Sequence, residues 1–351
     1  MADTSQRTIL HVDMDAFFAA VELQRYPHLT GEAVIVGGRG DPARRGVVST
    51  ATYEARRYGV HSGMALRTAA RLCPHAHFLP VDLARYREVS VTVFGLLREM
   101  TSKIQGVGLD EAYLDLTDHR RPGRDAAAEL KRRITQVTGL TASVGVAPNR
   151  LLAKIASDLE KPDGLCVLGY EDVPARVWPL PVRTLHGVGP RTEERLNAAG
   201  IHTVGDLAHA DGNTLGGGGA GRHVAALQRA AHGEDERPVV VSRERKSIGR
   251  ERTFQRDCQS SGRLAADTQQ LLEDVLARLH SKELAARTVT VKIRYRDFVT
   301  QTRSVSLPSP TTEPELLQAA AREALFKHRL HRAVRLLGVQ VSQLIPDPTA
   351  G

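Results

Sequence analysis

Short apolar runs that end in carboxylates alternate with amphipathic stretches through the first half of the chain. Thr8 to Val12 (TILHV) reads as a buried strand running into Asp-Met-Asp. Residues 16–25 suit a helix. Ala33 to Val36 (AVIV) reads as a second buried strand, closed by Gly37 and Gly38. Val47 and Val48 start a third element, followed by a helical stretch through Arg57. Residues 83–102 and 123–137 read as amphipathic helices, and 109–116 (LDEAYLDL) and 141–147 (TASVGVA) as strands. This alternation predicts an α/β or α+β core over the first ~165 residues. From Gly169 to Gly233 the strand pattern gives way to short helices punctuated by LHGVGP, AAGI and GGGGAGR. Residues 234–245 (EDERPVVVSRER) carry charge, a proline and no helical period, and so read as a linker. Beyond it come a strand (246–254), a helix (261–281), a hairpin-like strand pair (287–307), a helix (313–328) and a closing strand (333–343), which is a compact β-α-β-β-α-β module.

Within that module TVTVKIRYR, residues 288–296, alternates cleanly. Val289, Val291, Ile293 and Tyr295 face a core, while Thr290, Lys292, Arg294 and Arg296 face out. Lys246, Arg250 and Arg252 repeat the theme on the first strand. Charge sharpens this picture. The net charge is +8, and residues from Arg243 onward hold 19 Lys and Arg against 12 Asp and Glu, so nearly all the excess lies there. A basic module on a near-neutral body points to a polyanion, nucleic acid before an acidic membrane, with outward cations neutralising phosphates. No apolar run approaches the ~18 residues that a membrane helix needs. The polar start MADTSQRTIL has no signal-peptide core. Cys73, Cys166 and Cys258 form no CxxC pair, which fits a reducing cytoplasm and supports neither a disulfide framework nor a zinc knuckle.

Asp13 ends one buried strand, and Asp110 and Glu111 begin another after a bend at Gly106–Gly108. Alone, such acids read first as salt bridges or helix caps, and the other phosphate-handling residues shift that balance. Several carboxylates at buried strand ends also suit a pair of divalent ions and phosphoryl transfer. Thr50, Tyr53 and Arg56 stand at i, i+3 and i+6, which on a helix places three phosphate donors on one face. Lys161 adds a cation in the turn EKPDG. LHGVGPRTEERLNAAGI, residues 185–201, has the layout of a helix-hairpin-helix. Gly187 and Gly189 bracket its turn, and the loop N–H groups can hold a phosphate without reading sequence.

Taken together, HVDMDAFFAAVE, VVSTATYEARRYGVHSGM, GLDEAYLDLT, SVGVAPNRLLAKIASDLEKPDG, LHGVGPRTEERL and KSIGRERTF resemble, in order, the Y-family DNA polymerases of the DinB branch, the polymerase IV-like translesion enzymes. The resemblance implies an α+β multidomain right hand with a ferredoxin-like palm (1–22 and 77–167), small fingers (23–76), a helical thumb with a helix-hairpin-helix (168–233), a linker (234–242) and a βαββαβ little finger (243–346). It implies low-fidelity, template-directed addition of deoxynucleotides to a primer 3′ end during damage tolerance. Asp13, Asp110, Glu111 and the backbone carbonyl of Met14 would hold two Mg²⁺ ions, with Mn²⁺ as a substitute, and Asp15 is not expected to be a ligand. Thr50, Tyr53, Arg56 and Lys161 would clamp the triphosphate. Phe18 would be the steric gate against a 2′-hydroxyl, with Phe17 a core residue. Gly187, Gly189, Lys246, Arg250, Arg252, Lys292, Arg294 and Arg296 would contact DNA. The implied partners are primer-template DNA and deoxynucleoside triphosphates, for a cytoplasmic, nucleoid-associated bacterial monomer with no membrane. The chain departs from the family pattern in three ways. Gly108 replaces the usual serine, which is expected to loosen the loop before Asp110. The thumb carries the glycine run 216–219. After VQVSQLIP there is no glutamine-led hydrophobic tail, so recruitment by a sliding clamp through that peptide is not expected. A non-catalytic DNA-binding protein and another palm-type nucleotidyltransferase are the rivals. The complete acid triad argues against the first and the duplex-holding C-terminal half against the second.

Overall fold

The computed structural model describes residues 7–211, 221–242 and 244–347. The first six residues, the glycine run 216–219 and the last four residues lie outside them. The chain divides into two units. The first holds Met1–Asp41, Val47–Met64 and Thr68–Ser242, and the second Pro42–Gly46, Ala65–Arg67 and Arg243–Gly351.

The first unit is built on a five-stranded sheet of order β5-β6-β1-β7-β8, from β1 (Ile9–Met14), β5 (Ile104–Gly106), β6 (Glu111–Asp115), β7 (Ala142–Ala147) and β8 (Leu165–Val167). All its pairings are antiparallel except β7 with β8. Alternation along β1 divides the sheet into two faces. Leu10, Val12 and Met14 pack with α1 (Phe17–Arg25), α4 (Leu83–Met100) and α5 (Gly123–Thr138). Ile9 and Tyr113 turn toward α6 (Arg150–Leu159) on the opposite face. The Asn149 side chain caps α6, accepting from Leu152 N–H at 2.9 Å.

A second sheet, β3-β2-β4, joins β2 (Val34–Gly37), β3 (Val48–Ala51) and β4 (His77–Leu79), with α2 (Tyr53–Arg56) and α3 (Leu66–Leu72) in the same stretch of chain. Because β4 runs parallel to β2, residues 77–79 belong to this small sheet and not to the large one, on whose side the expected boundary at residue 77 places them. The short helices α7 (Pro190–Ala198), α8 (Val204–His209) and α9 (Gly221–Ala231) follow. The expected linker is held to its own unit. Asn149 Nδ2 donates to Gly233 O at 2.7 Å, Val240 N–H to Gln105 Oε1 at 2.8 Å, and Arg150 to Pro238 O at 3.3 Å.

The second unit follows the expected order: β9 (Ser247–Cys258), α10 (Ser261–His280), β10 (Leu284–Tyr295), β11 (Thr300–Thr311), α11 (Pro314–Phe326) and β12 (Val334–Pro346), in an antiparallel sheet β11-β10-β12-β9. Val289, Val291, Ile293 and Tyr295 are buried against both helices, as their alternation predicts. Among the described residues no helix is long and apolar enough to cross a membrane.

Candidate active site

Register brings the carboxylates together. Asp13 on β1 stands directly opposite Glu111 on β6, and opposed residues of an antiparallel ladder lie ~4.5–5.5 Å apart at Cα with side chains on one face. Met14 N–H donates to Asp110 O at 2.9 Å, which fixes the turn before β6 beside the end of β1. Val107 and Gly108 N–H both donate to Glu111 O, at 2.9 and 3.4 Å. The loop containing Gly108 is therefore closed as a hairpin onto the start of β6. Burial, and then the Asp13 charge, push the Asp110 carboxyl up. Glu111 is drawn down to about 2, chiefly by a hydrogen bond from His11 and, against the cost of burial, by Lys154.

The face beneath α6 holds this corner in place. His11 is fully buried. Its Nδ1 lies 2.7 Å from Ser157 Oγ and its Nε2 2.9 Å from Glu111 Oε1. Burial pushes its imidazole below the usual range. Lys154 Nζ reaches the same Oε1 at 2.8 Å. Lys161, expected at a triphosphate, pairs with Asp13 at 2.8 Å and Asp158 at 3.2 Å. Among the described residues no three His, Cys, Asp and Glu side chains are already gathered as a metal cluster. Lysines balance the acids here.

Asp15, next along from Met14, is a junction. Its nearly buried carboxylate accepts from Ser143 Oγ (2.8 Å), Thr141 Oγ1 (2.9 Å), Asp163 N–H (2.9 Å) and, more weakly, the Tyr53 hydroxyl (3.3 Å). It therefore ties the end of β1 to β7, to α2 and to the turn after Lys161. Burial, with the Asp15 charge, pushes the Tyr53 phenol up to about 12. Thr50 lies on β3, so the three phosphate donors do not share a helix as their spacing suggested; only Tyr53 and Arg56 are helical. They still converge. Arg56 stacks over the Tyr53 ring at 4.7 Å, with its Nη2 3.5 Å from Thr50 Oγ1. Phe17 is a core residue, whereas the half-buried Phe18 stacks on Tyr86, with ring centroids 4.2 Å apart and planes 14° from parallel. The Tyr86 hydroxyl donates to Glu22 Oε1 at 2.7 Å, so the ring behind Phe18 is itself fixed. His11, Asp15, Tyr86, Lys154 and Ser157 are the neighbours to which the motifs alone give no role.

Gly187 and Gly189 are exposed at the entry to α7, and Gly187 has φ 103°, a left-handed conformation that suits glycine. The helix before them is a single 3₁₀ turn, Val182–Thr184. In the second unit Lys292, Gly338 and Glu251 lie side by side across β10, β12 and β9, and Lys292 pairs with Glu251 at 2.7 Å. Arg294 bonds Thr300, and Arg296 is largely exposed. Arg250 and Arg252 correct the expectation of a second outward-facing row. They share the phase of buried Ile248, and Arg252 pairs with Asp267 of α10. Lys246 is exposed just before β9.

Comparison with known proteins agrees with this architecture. Residues 12–158 match the impB/mucB/samB family, 245–351 its C-terminal domain, and 170–201 the IMS family HHH motif. The chain is 46% identical to a DNA polymerase IV of Methanoculleus marisnigri (97% of this chain, 95% of that one) and 47% identical to one of Halorhodospira halophila (97% and 96%). A Y-family DNA polymerase chimera of Dbh and Dpo4 superposes with a TM-score of 0.82 at 28% identity, covering 96% of this chain and 99% of that one.

Proposed function

Because the chain belongs to the impB/mucB/samB family of Y-family, DinB-like DNA polymerases, we propose that Asp13, Asp110 and Glu111 form the centre at which it extends a primer. It is a DNA-directed, translesion DNA polymerase, and its partners are DNA and deoxynucleoside triphosphates. The observation that carries the residue assignment is the pairing of Asp13 with Glu111 across β1 and β6, with Asp110 tied to Met14 at the same corner.

The family depends on divalent metal, and the donor set suits Mg²⁺. Carboxylates and a backbone carbonyl are hard oxygen ligands. Burial, and then the Asp13 charge, raise the Asp110 carboxyl, and a cation at this corner relieves both. Asp13, Asp110, Glu111 and the Met14 carbonyl would hold two ions. When bound, these supply charge neutralisation for the attack of a primer 3′-hydroxyl on the α-phosphate. The protein does the positioning. Lys161 is one ion-pair exchange away from a triphosphate, leaving Asp13 as the anion arrives. Arg56, Tyr53 and Thr50 present a guanidinium and two hydroxyls to phosphate oxygens. Phe18, backed by Tyr86, stands as a wall against a 2′-hydroxyl.

The palm corresponds to the five-stranded sheet and the fingers to residues 23–79, now including β4. The thumb spans 168–233, followed by the strap 234–242, and the little finger begins at residue 243. The exposed Gly187–Gly189 turn, with Lys246, Lys292, Arg294 and Arg296, supplies backbone N–H groups and cations for DNA phosphates. The test is primer extension with Mg²⁺. Asp110→Asn abolishes extension while primer-template affinity stays within a few-fold. Extension at the parent rate would remove Asp110 from the centre.

A further inference from the structure

His11 makes a contact that no phosphate- or metal-binding role explains. Its ring is fully buried with both nitrogens engaged. Glu111 is ionised and can only accept, so the hydrogen between them lies on His11 Nε2. Nδ1 lies 2.7 Å from Ser157 Oγ, whose hydroxyl also hydrogen-bonds to Lys154 O at 2.8 Å. The result is a chain of hydrogen bonds that links helix α6 through Ser157 and His11 to Glu111. Lys154 adds its ammonium to the same Oε1 at 2.8 Å. Among the described residues, both donors to Glu111 fall on Oε1, and Oε2 carries none.

An independent feature of the sheet makes this linkage possible. Gly145 on β7 is the cross-strand partner of His11. A Cβ at that position would lie 2.0 Å from Ala153 O and 2.4 Å from Ser157 N, so only glycine lets α6 settle this close. That close approach delivers Ser157 to the imidazole.

We propose that His11, oriented by Ser157, is a positioning residue that ties Oε1 of Glu111 back into the protein and leaves Oε2 presented to the divalent ions. This rests on the reading of Glu111 as a ligand. The outer-sphere partners of ligands elsewhere fix orientation in the same way, and their loss costs ~10–100-fold in metal affinity.

The test is Mn²⁺ titration followed by electron paramagnetic resonance. The chain is bound to a dideoxy-terminated primer-template with a non-hydrolysable deoxynucleotide analogue, and primer extension is measured in parallel. His11→Leu weakens Mn²⁺ binding by ~10–100-fold and lowers kcat more than it raises KM for the nucleotide, with DNA affinity unchanged. His11→Gln, whose amide can donate to the same Oε1, recovers most of the loss. Ser157→Ala, a small change that leaves the imidazole without its partner at Nδ1, weakens Mn²⁺ binding by a lesser factor. It carries the test together with His11→Gln if His11→Leu does not fold. Parent-like Mn²⁺ affinity in folded Ser157→Ala or His11→Leu overturns the proposal, as does His11→Gln binding no better than His11→Leu. Glu111→Gln separates the two levels of inference. Lost Mn²⁺ affinity there, with none lost in the His11 and Ser157 variants, overturns the positioning role alone. Parent affinity in Glu111→Gln overturns Glu111 as a ligand.

Discussion

Asp15→Ala removes the acceptor at which four segments of the first unit meet. The carboxylate takes two hydroxyls at 2.8 and 2.9 Å and the Asp163 N–H at 2.9 Å. The Ser143 and Thr141 hydroxyls can rotate, and Ser143 Oγ already accepts from Gly164 N–H at 3.3 Å. The Asp163 amide cannot turn away. Hydrogen bonds to a charged acceptor contribute ~1.5–3 kcal/mol each, and a stranded buried donor costs ~1–3 kcal/mol. Relief of the desolvated carboxylate offsets part of this, and a net loss of about 2–4 kcal/mol follows. For a unit of this size each kcal/mol lowers Tm by ~2–4 °C, so melting falls by roughly 4–16 °C. Function changes separately, because the Asp163 amide anchors the turn that carries Lys161, and Tyr53 loses its acceptor. In primer extension at a temperature where the variant is folded, KM for the nucleotide rises while affinity for primer-template holds. Asp15→Asn recovers part of the loss, since its amide oxygen can still accept the Asp163 N–H while a rotated hydroxyl accepts from its N–H₂. A variant that melts within a degree of the parent and keeps its KM would refute this account of Asp15.

Phe18→Ala opens the wall that Tyr86 backs and raises ribonucleotide use relative to deoxynucleotide; an unchanged ratio in single-nucleotide incorporation would exclude Phe18 as the gate. Glu111 sits at about 2 in the fold against 4.5 when unperturbed. Its pairing therefore contributes stability that is complete above pH 4.5 and fades as pH falls toward 2. In metal-free buffer Glu111→Gln flattens the acid limb of Tm against pH over that window, and superimposable limbs would contradict the pairing. The double variant Lys292→Glu, Arg294→Glu weakens binding to all DNA sequences alike and lowers the slope of log K against log salt by ~1 for each DNA phosphate that is no longer neutralised. Weakening confined to particular sequences would point to base contacts instead.

Where a single segment carries its own period, the sequence is readable. The alternation in residues 288–296 places four core residues and the order of the second unit. A spacing compatible with two conformations misleads. Thr50, Tyr53 and Arg56 fit a helical face, yet the chain turns from strand to helix between the first and the second, and they meet through Arg56 folding back. Helix α6 has a legible start in the Asn149 cap and apolar positions at Leu151, Leu152, Ile155, Ala156 and Leu159, but its period alone does not show which strands it covers. Arg250 and Arg252 need the phase of Ile248 as well as their spacing from each other. The supports of the site are the least legible. His11, Ser157, Gly145 and Asp15 acquire their roles only from the register of β1 against β6 and β7, which sets side by side residues far apart along the chain.

The most direct measurement is anomalous scattering from Mn²⁺ in crystals of the chain with primer-template and a non-hydrolysable deoxynucleoside triphosphate. Two peaks ~3.5–4 Å apart, with Asp13, Asp110 and Glu111 among their ligands and Lys161 moved onto the triphosphate, are the predicted result. Peaks that none of these three carboxylates touches would contradict the assignment of the centre.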